Sequence, residues 1–330
     1  MIAPSSARIR VRQFGRTTLQ VSEIGLGCAR IGGVFKSNSG DFVKLLVAAL
    51  DGGINFFDTA DMYSQGESEQ LIGRAFKGRR QQVVIASKAG YVLPTQRKFV
   101  ARIKPFVRPA VRLLGLSRHH LPSAVRGELV QDFSPAYLKG AVEGSLRRLR
   151  TDYLDVLQLH SPPATIVEAG EWIGALEALK QAGKIRYYGI SCDTVEAAYA
   201  ALAHPGVSSL QVPVNLLSRD FLPVLDQAHE SGVGVIAREC LANGLLIKEL
   251  SPDQIRPYCQ SDAEASEKGA QIAGYRREAT EGGSALAPFA LRWVSRLQGV
   301  SVSLIGVSSL EQLETLLTYG ASIARGIGGV

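Results

Sequence analysis

Asn55–Glu69 reads NFFDTADMYSQGESE, and Ile54 precedes it. The apolar run Ile54–Phe57 reads as a buried parallel strand, because both of its faces are apolar. A carboxylate, Asp58, follows where the run ends, and a phenol, Tyr63, lies five residues on in a polar loop. Glu67–Phe76 then reads as a helix. A carboxylate and a phenol beyond the C-terminal end of a strand point to chemistry at that end. Moving outward, Lys88 ends the next apolar run, Val83–Ser87, and His160 ends the one after, Tyr153–Leu159.

The same alternation runs through the chain. Arg12–Phe14 and Leu19–Val21, joined by Gly15–Thr18, predict a small N-terminal β-hairpin. Strand Glu23–Gly27 then leads to helix Asp41–Asp51. After Lys88 a long segment intervenes before helix Pro135–Arg148, whose N-cap is expected to be Ser134. Strands at Ile185–Ile190, Ser209–Val214, Val233–Ala237 and Val302–Ile305 each lead into helical sequence, ending with Leu310–Leu317. Eight strand–helix units in series predict an α/β (β/α)8 TIM barrel formed as one domain over 1–330. It carries an extended basic loop after its third strand. A doubly wound sheet is the competitor, but it wants a glycine-rich turn after its first strand. Gly25-Leu26-Gly27 followed by Gly32-Gly33 matches that turn poorly.

Asp58, Tyr63, Lys88 and His160 resemble, in type, spacing and local sequence, the catalytic tetrad of the aldo-keto reductase superfamily. The resemblance spans Phe14 to about Leu317, apart from the segment 91–133. It implies an NAD(P)-dependent oxidoreductase in which Tyr63 gives a proton to a carbonyl oxygen or takes one from a hydroxyl. A free phenol titrates near ~10, so Lys88 is expected to lower that value. Asp58 holds Lys88 charged, and His160 donates a hydrogen bond to the substrate oxygen. A Schiff-base aldolase would also use a barrel-strand lysine, but an aspartate partner keeps that lysine protonated and opposes the role.

The resemblance also implies cofactor positions: Gly27, Ser191, Cys192, Gln211, Arg238, Leu241, Gly244, Lys248, Gly306, Ser308 and Gln312. At three of them the chain departs from the family pattern. Cys192 stands where relatives carry Asn. Arg238 stands where an aromatic residue stacks on the nicotinamide; a guanidinium can also stack flat, or it can pair with Glu239 or another acid. Ser308 replaces the arginine that pairs with the 2′-phosphate of NADP, which leans the expectation to NAD. Arg30, Tyr91 and Arg97 are candidate substrate contacts. The GLGCARIGG stretch, the Leu241–Leu245 loop and Ser308 resemble the bacterial and plant sugar-dehydrogenase branch. That likeness implies a sugar or sugar derivative as substrate. The alternatives are a non-catalytic or slow cofactor-binding regulatory subunit of the same family, or a membrane-associated reductase of a lipid- or nucleotide-linked sugar.

Charge is concentrated in one place. The chain has a net charge of +7, yet 91–127 holds eight of its 37 Lys and Arg residues and none of its 30 Asp and Glu residues. The remainder is almost neutral. Apolar residues such as Phe99, Ile103 and Val107 interleave with this charge, which predicts an amphipathic cationic segment. Three readings stand: a solvated lid, a lid for a phosphorylated, acidic or nucleotide-linked sugar, or a surface over 95–118 that meets anionic membrane or another protein. No nucleic-acid-binding fold accompanies the charge. The four cysteines (Cys28, Cys192, Cys240 and Cys259) show no metal-ligand spacing, and the N-terminus lacks an apolar signal segment. A cytoplasmic location without a bound metal is the expectation.

Overall fold

The structure is a computed structural model that describes residues 9–29, 31, 39–92 and 130–325. Arg30, Arg97 and the basic segment over 93–129 lie outside the described residues. Eight parallel strands close into a barrel in the order β3 (Ile24–Gly27), β4 (Phe56–Asp58), β5 (Val84–Ala89), β8 (Leu154–His160), β9 (Ile185–Ser191), β10 (Ser209–Pro213), β11 (Gly234–Arg238) and β12 (Val300–Ile305), which returns to β3. Closure excludes the doubly wound alternative. Helices alternate with the strands. They include α1 (Ser39–Asp51), α2 (Glu67–Ala75), α3 (Pro135–Leu149), α4 (Ala164–Ala169), α5 (Ile173–Gln181), α6 (Val195–Leu202) and α7 (Leu222–Glu230). Then come α8 (Pro252–Ile255), α9 (Asp262–Glu281), α10 (Leu286–Arg296) and α11 (Leu310–Arg325).

The strand sequences are apolar on both faces because both faces are covered. Outward residues such as Leu26, Phe57, Ile85, Leu157 and Ile190 join the helices in one large core. Inward residues Phe56, Val84, Ala86, Val156, Ile236 and Val302 form a second core inside the barrel. The N-terminal hairpin, β1 (Val11–Gln13) paired with β2 (Gln20–Ser22), plugs the bottom of that interior. Its Phe14, Leu19 and Val21 pack on the inward residues, and the rings of Phe14 and Phe56 lie 6.0 Å apart. Burying a side chain of that size contributes about 2 kcal/mol or more. Gly15 makes the plug possible. It has φ +52°, and a Cβ there would lie 2.4 Å from the Gly234 nitrogen.

The structure differs from the expected elements in several places. α4 is short, and α11 runs on to Arg325, beyond the expected end at Leu317. A two-residue hairpin, β6 (Tyr91–Val92) with β7 (Val130–Gln131), ties together the two ends of the basic segment. Ser134 caps α3 as expected, accepting a hydrogen bond from the Tyr137 amide.

Candidate active site

The C-terminal ends of the barrel strands form one mouth, and the sequence places four chemically distinctive side chains there. Asp58 is the last residue of β4, Lys88 the penultimate residue of β5 and His160 the last of β8. Tyr63 follows β4 in a 3-10 turn, Tyr63–Gly66. That turn carries three successive left-handed residues, Ser64, Gln65 and Gly66. Two of them are not glycine, so the loop is bent into a sparsely populated conformation immediately after the phenol.

Lys88 Nζ has three donors and three acceptors. It donates to Asp58 Oδ2 at 2.6 Å, to the Thr59 carbonyl at 3.1 Å and to the Tyr63 hydroxyl at 3.4 Å. Asp58 and Lys88 are both buried, at 2% and 1% exposure, so each charge depends on the other. Burial works to lower the lysine, but the Asp58 carboxylate and the Tyr63 hydroxyl outweigh it and hold the ammonium above its usual range. The second oxygen of Asp58 accepts from Gln211 Nε2 at 2.8 Å, and Gln211 Oε1 accepts from Ser191 Oγ at 3.3 Å. One polar network therefore joins β4, β5, β9 and β10 across the mouth.

The phenol behaves otherwise than the sequence suggests. Tyr63 is pushed up, chiefly by burial, with Lys88 pulling the other way. Desolvation of the phenolate outweighs the ammonium, so Tyr63 keeps its proton at neutral pH. His160 is driven down to about 3, first by burial and then by the charges of Lys88 and Arg238. Its imidazole is neutral, and its Nδ1 is buried without a hydrogen-bond partner. The His160 ring meets Tyr63 edge-on at 5.8 Å and Tyr91 at 4.8 Å. Tyr91 is thus drawn to the mouth at the base of the basic segment. Gln131, across the β6–β7 hairpin, donates to the carbonyls of His160 and Ser161 at 3.1 and 2.9 Å.

A second acidic group at the mouth was missed. Asp61 lies two residues before Tyr63, and its Oδ2 is 3.4 Å from the Tyr137 hydroxyl, which donates to the Tyr91 carbonyl at 2.8 Å. Burial, reinforced by the charge of Glu69 and opposed by Arg148, raises the Asp61 carboxyl to about 7. Nothing local in DTADMY distinguishes Asp61 from a turn cap; its partners come from α3.

The remaining candidate positions lie on the side that runs from β9 through β12 to β3. Gly27 and Gly306 adjoin at the ends of β3 and β12, and a Cβ at Gly306 would meet only the Gly27 carbonyl, at 3.7 Å. A Cβ at Gly244 would meet nothing within 4 Å. Gly306 and Gly244 thus leave open space about their own backbone, whereas a Cβ at Gly27 would touch the Leu304 side chain at 3.4 Å. Leu241 precedes the turn Ala242–Gly244, and Lys248 is exposed. Ser308 donates through its amide and hydroxyl to Gln312 Oε1 at 2.8 and 3.1 Å, at the entry to α11. Arg238 bonds Asp193 and Glu239, so of its two expected roles this structure holds it in ion pairs. Cys192 reaches the strand end, but its thiol is buried in the core with Sγ 3.8 Å from the Ile190 carbonyl.

This donor set suits a nicotinamide dinucleotide. A hydroxyl and a primary amide stand side by side for a carboxamide, and a guanidinium flanks them. Hydroxyls and a helix N-terminus lie beyond for ribose or phosphate.

Comparison with known proteins agrees with this architecture. The model of the "Aldo/keto reductase family" matches residues 23–322. The uncharacterized oxidoreductase YqkF of Bacillus subtilis is 30% identical over 311 residues, covering 92% of this chain and 89% of that protein. The holo form of the aldo-keto reductase AKR11C1 from Bacillus halodurans superposes with a TM-score of 0.75 at 29% identity, covering 98% of this chain and 97% of the other. The glycerol dehydrogenase AKR11B4 from Gluconobacter oxydans gives a TM-score of 0.72 at 24% identity, with 96% and 94% coverage. At that identity the likeness is one of fold. With the barrel, the strand-end site and a family match over most of its length, the chain belongs to the aldo-keto reductases, NAD(P)-dependent oxidoreductases of small carbonyl compounds.

Proposed function

We propose that this protein, acting as one barrel domain, interconverts a carbonyl and an alcohol on a sugar or sugar derivative, with Tyr63 as proton donor and acceptor. The observation that carries the reading is the chain of contacts from Asp58 through Lys88 to the Tyr63 hydroxyl, 2.6 and 3.4 Å long. A nicotinamide dinucleotide, when bound, supplies or accepts the hydride.

The protein's own residues handle the proton. Tyr63 enters carbonyl reduction protonated, because burial keeps its pKa up. As negative charge builds on the carbonyl oxygen, the phenol O–H bond breaks and its proton passes to that oxygen. The phenolate left behind faces the Lys88 ammonium, which the Asp58 carboxylate keeps charged. His160, neutral because its pKa is near 3, donates a ring N–H to the same oxygen without adding a buried charge. In oxidation the steps run in reverse: Tyr63 first releases its proton to solvent, and the phenolate, facing the Lys88 ammonium, then takes the hydroxyl proton.

For the dinucleotide, Ser191 and Gln211 hold the carboxamide end, and Arg238 moves from its acids to flank the ring. Gly27, Leu241, Gly244, Lys248 and Gly306 line the path to Ser308 and Gln312. The absence of an arginine at 308 favours NAD over NADP. Tyr91, against His160, contacts the substrate. Turnover of a panel of aldoses and aldehydes tests the assignment: steady oxidation or reduction of a sugar supports it. Slow oxidation of the bound cofactor by an added carbonyl, confined to a single turnover and with no sugar or aldehyde giving steady turnover, would instead indicate a regulatory subunit.

A further inference from the structure

Outside the barrel, on the wall formed by α2 and α3, a cleft of about 290 Å³ is lined by Gln70, Arg74, Gly144, Arg147, Arg148 and Arg150. It flanks the β4–β5 side, away from the strands that carry the dinucleotide candidates. No acidic side chain is among its lining residues, and four of the six carry a guanidinium. The geometry that gathers them is specific. α2 and α3 approach closely because Gly73 has no side chain; a Cβ there would lie 2.4 Å from the Leu149 carbonyl.

Arg148 is fixed rather than mobile. Its Nε donates to Glu69 Oε2 at 2.6 Å and its Nη2 to Ser145 Oγ at 3.2 Å. The guanidinium lies along Gly144, where a Cβ would be 3.0 Å from Nη1. Arg150 caps α3 with φ +56°, a conformation that favours glycine or asparagine. Arg74, Arg147 and Arg150 make no ion pair among the described residues. Glu143, one turn before Arg147, is bonded to Lys184 at 2.8 Å.

The local charge decides the ligand. Four guanidiniums are opposed by Glu69 and by the C-terminal dipoles of α2 and α3, each worth about half a negative charge. The cleft is left with about two positive charges. Planar guanidiniums recognise phosphate oxygens in a forked, bidentate manner. We propose that this cleft is a binding site for a phosphate group, free or carried on a small metabolite, and that Arg148 is its fixed anchor.

The test is calorimetric titration of the intact protein with sodium pyrophosphate and, separately, with ribose 5-phosphate. It is run at about 0.15 M NaCl, where non-specific attraction is screened. Saturable binding of pyrophosphate alone assigns the site to free oligophosphate, and binding of ribose 5-phosphate assigns it to a phosphorylated metabolite. In either case Arg74→Gln/Arg147→Gln weakens binding by at least about tenfold, and Lys248→Gln, on the dinucleotide side, leaves it unchanged. In the unmutated protein the same ligand shields Arg74 and Arg147 from modification by phenylglyoxal, a readout that needs no variant to fold. No saturable binding of either probe, binding that the double variant leaves intact, or loss in Lys248→Gln would overturn the proposal.

Discussion

Asp58 holds Lys88 at 2.6 Å inside the barrel mouth and holds Gln211 at 2.8 Å with its other oxygen. One buried carboxylate thus serves both the residue that faces Tyr63 and a residue on the dinucleotide side. Removing its charge partner leaves that carboxylate uncompensated. Lys88→Met is therefore expected to destabilise the protein by about 3 kcal/mol or more. Thermal unfolding of the single variant and of Asp58→Asn/Lys88→Met checks this, the double variant recovering part of the loss. An unchanged midpoint in Lys88→Met would show that the pair contributes nothing.

Asp61 makes a pH-dependent contribution of the opposite kind. Its carboxyl titrates near 7 in the folded protein but near ~3.9 in an unfolded chain. Between these values the folded state holds the proton and the unfolded state does not, so stability falls as pH rises through that window. Asp61→Asn removes the penalty while keeping an acceptor for Tyr137. Its melting midpoint is expected to exceed that of the wild type by about 2 °C or more at pH 8, with the gap closing toward pH 4. Melting curves across that range decide the matter; a gap that does not vary with pH would contradict the assignment.

Ser308 and Gln312 form a neutral pair at the entry to α11. Ser308→Arg supplies a guanidinium where a 2′-phosphate is expected to lie. The ratio of NADPH to NADH affinity should then shift toward NADPH by about tenfold. Fluorescence titration with both dinucleotides measures the ratio, and no change would mean that the 2′ position lies elsewhere.

Much of this architecture is legible in the sequence, because a parallel barrel buries both faces of its strands and so writes each strand as an apolar run. Val84–Ala89 and Leu154–His160 are examples. Strand ends then fall where those runs stop, which brings Asp58, Lys88 and His160 to one mouth without any long-range inference. What the sequence does not carry is pairing between distant elements. Asp61 meets Tyr137 across 76 positions, and Arg238 meets Asp193 across 45. Nor does it carry the balance of two opposed effects. Lys88 lowers the Tyr63 pKa as its type suggests, but how completely the barrel buries that phenol emerges only from the folded mouth, and burial wins.

The most direct test of the proposed chemistry is Tyr63→Phe, assayed for dinucleotide binding and for turnover side by side. The proton-donor assignment predicts NADH affinity within about threefold of the wild type. It also predicts turnover lower by a factor of about 10² to 10⁴. Turnover that survives the loss of the hydroxyl, with binding intact, would contradict it.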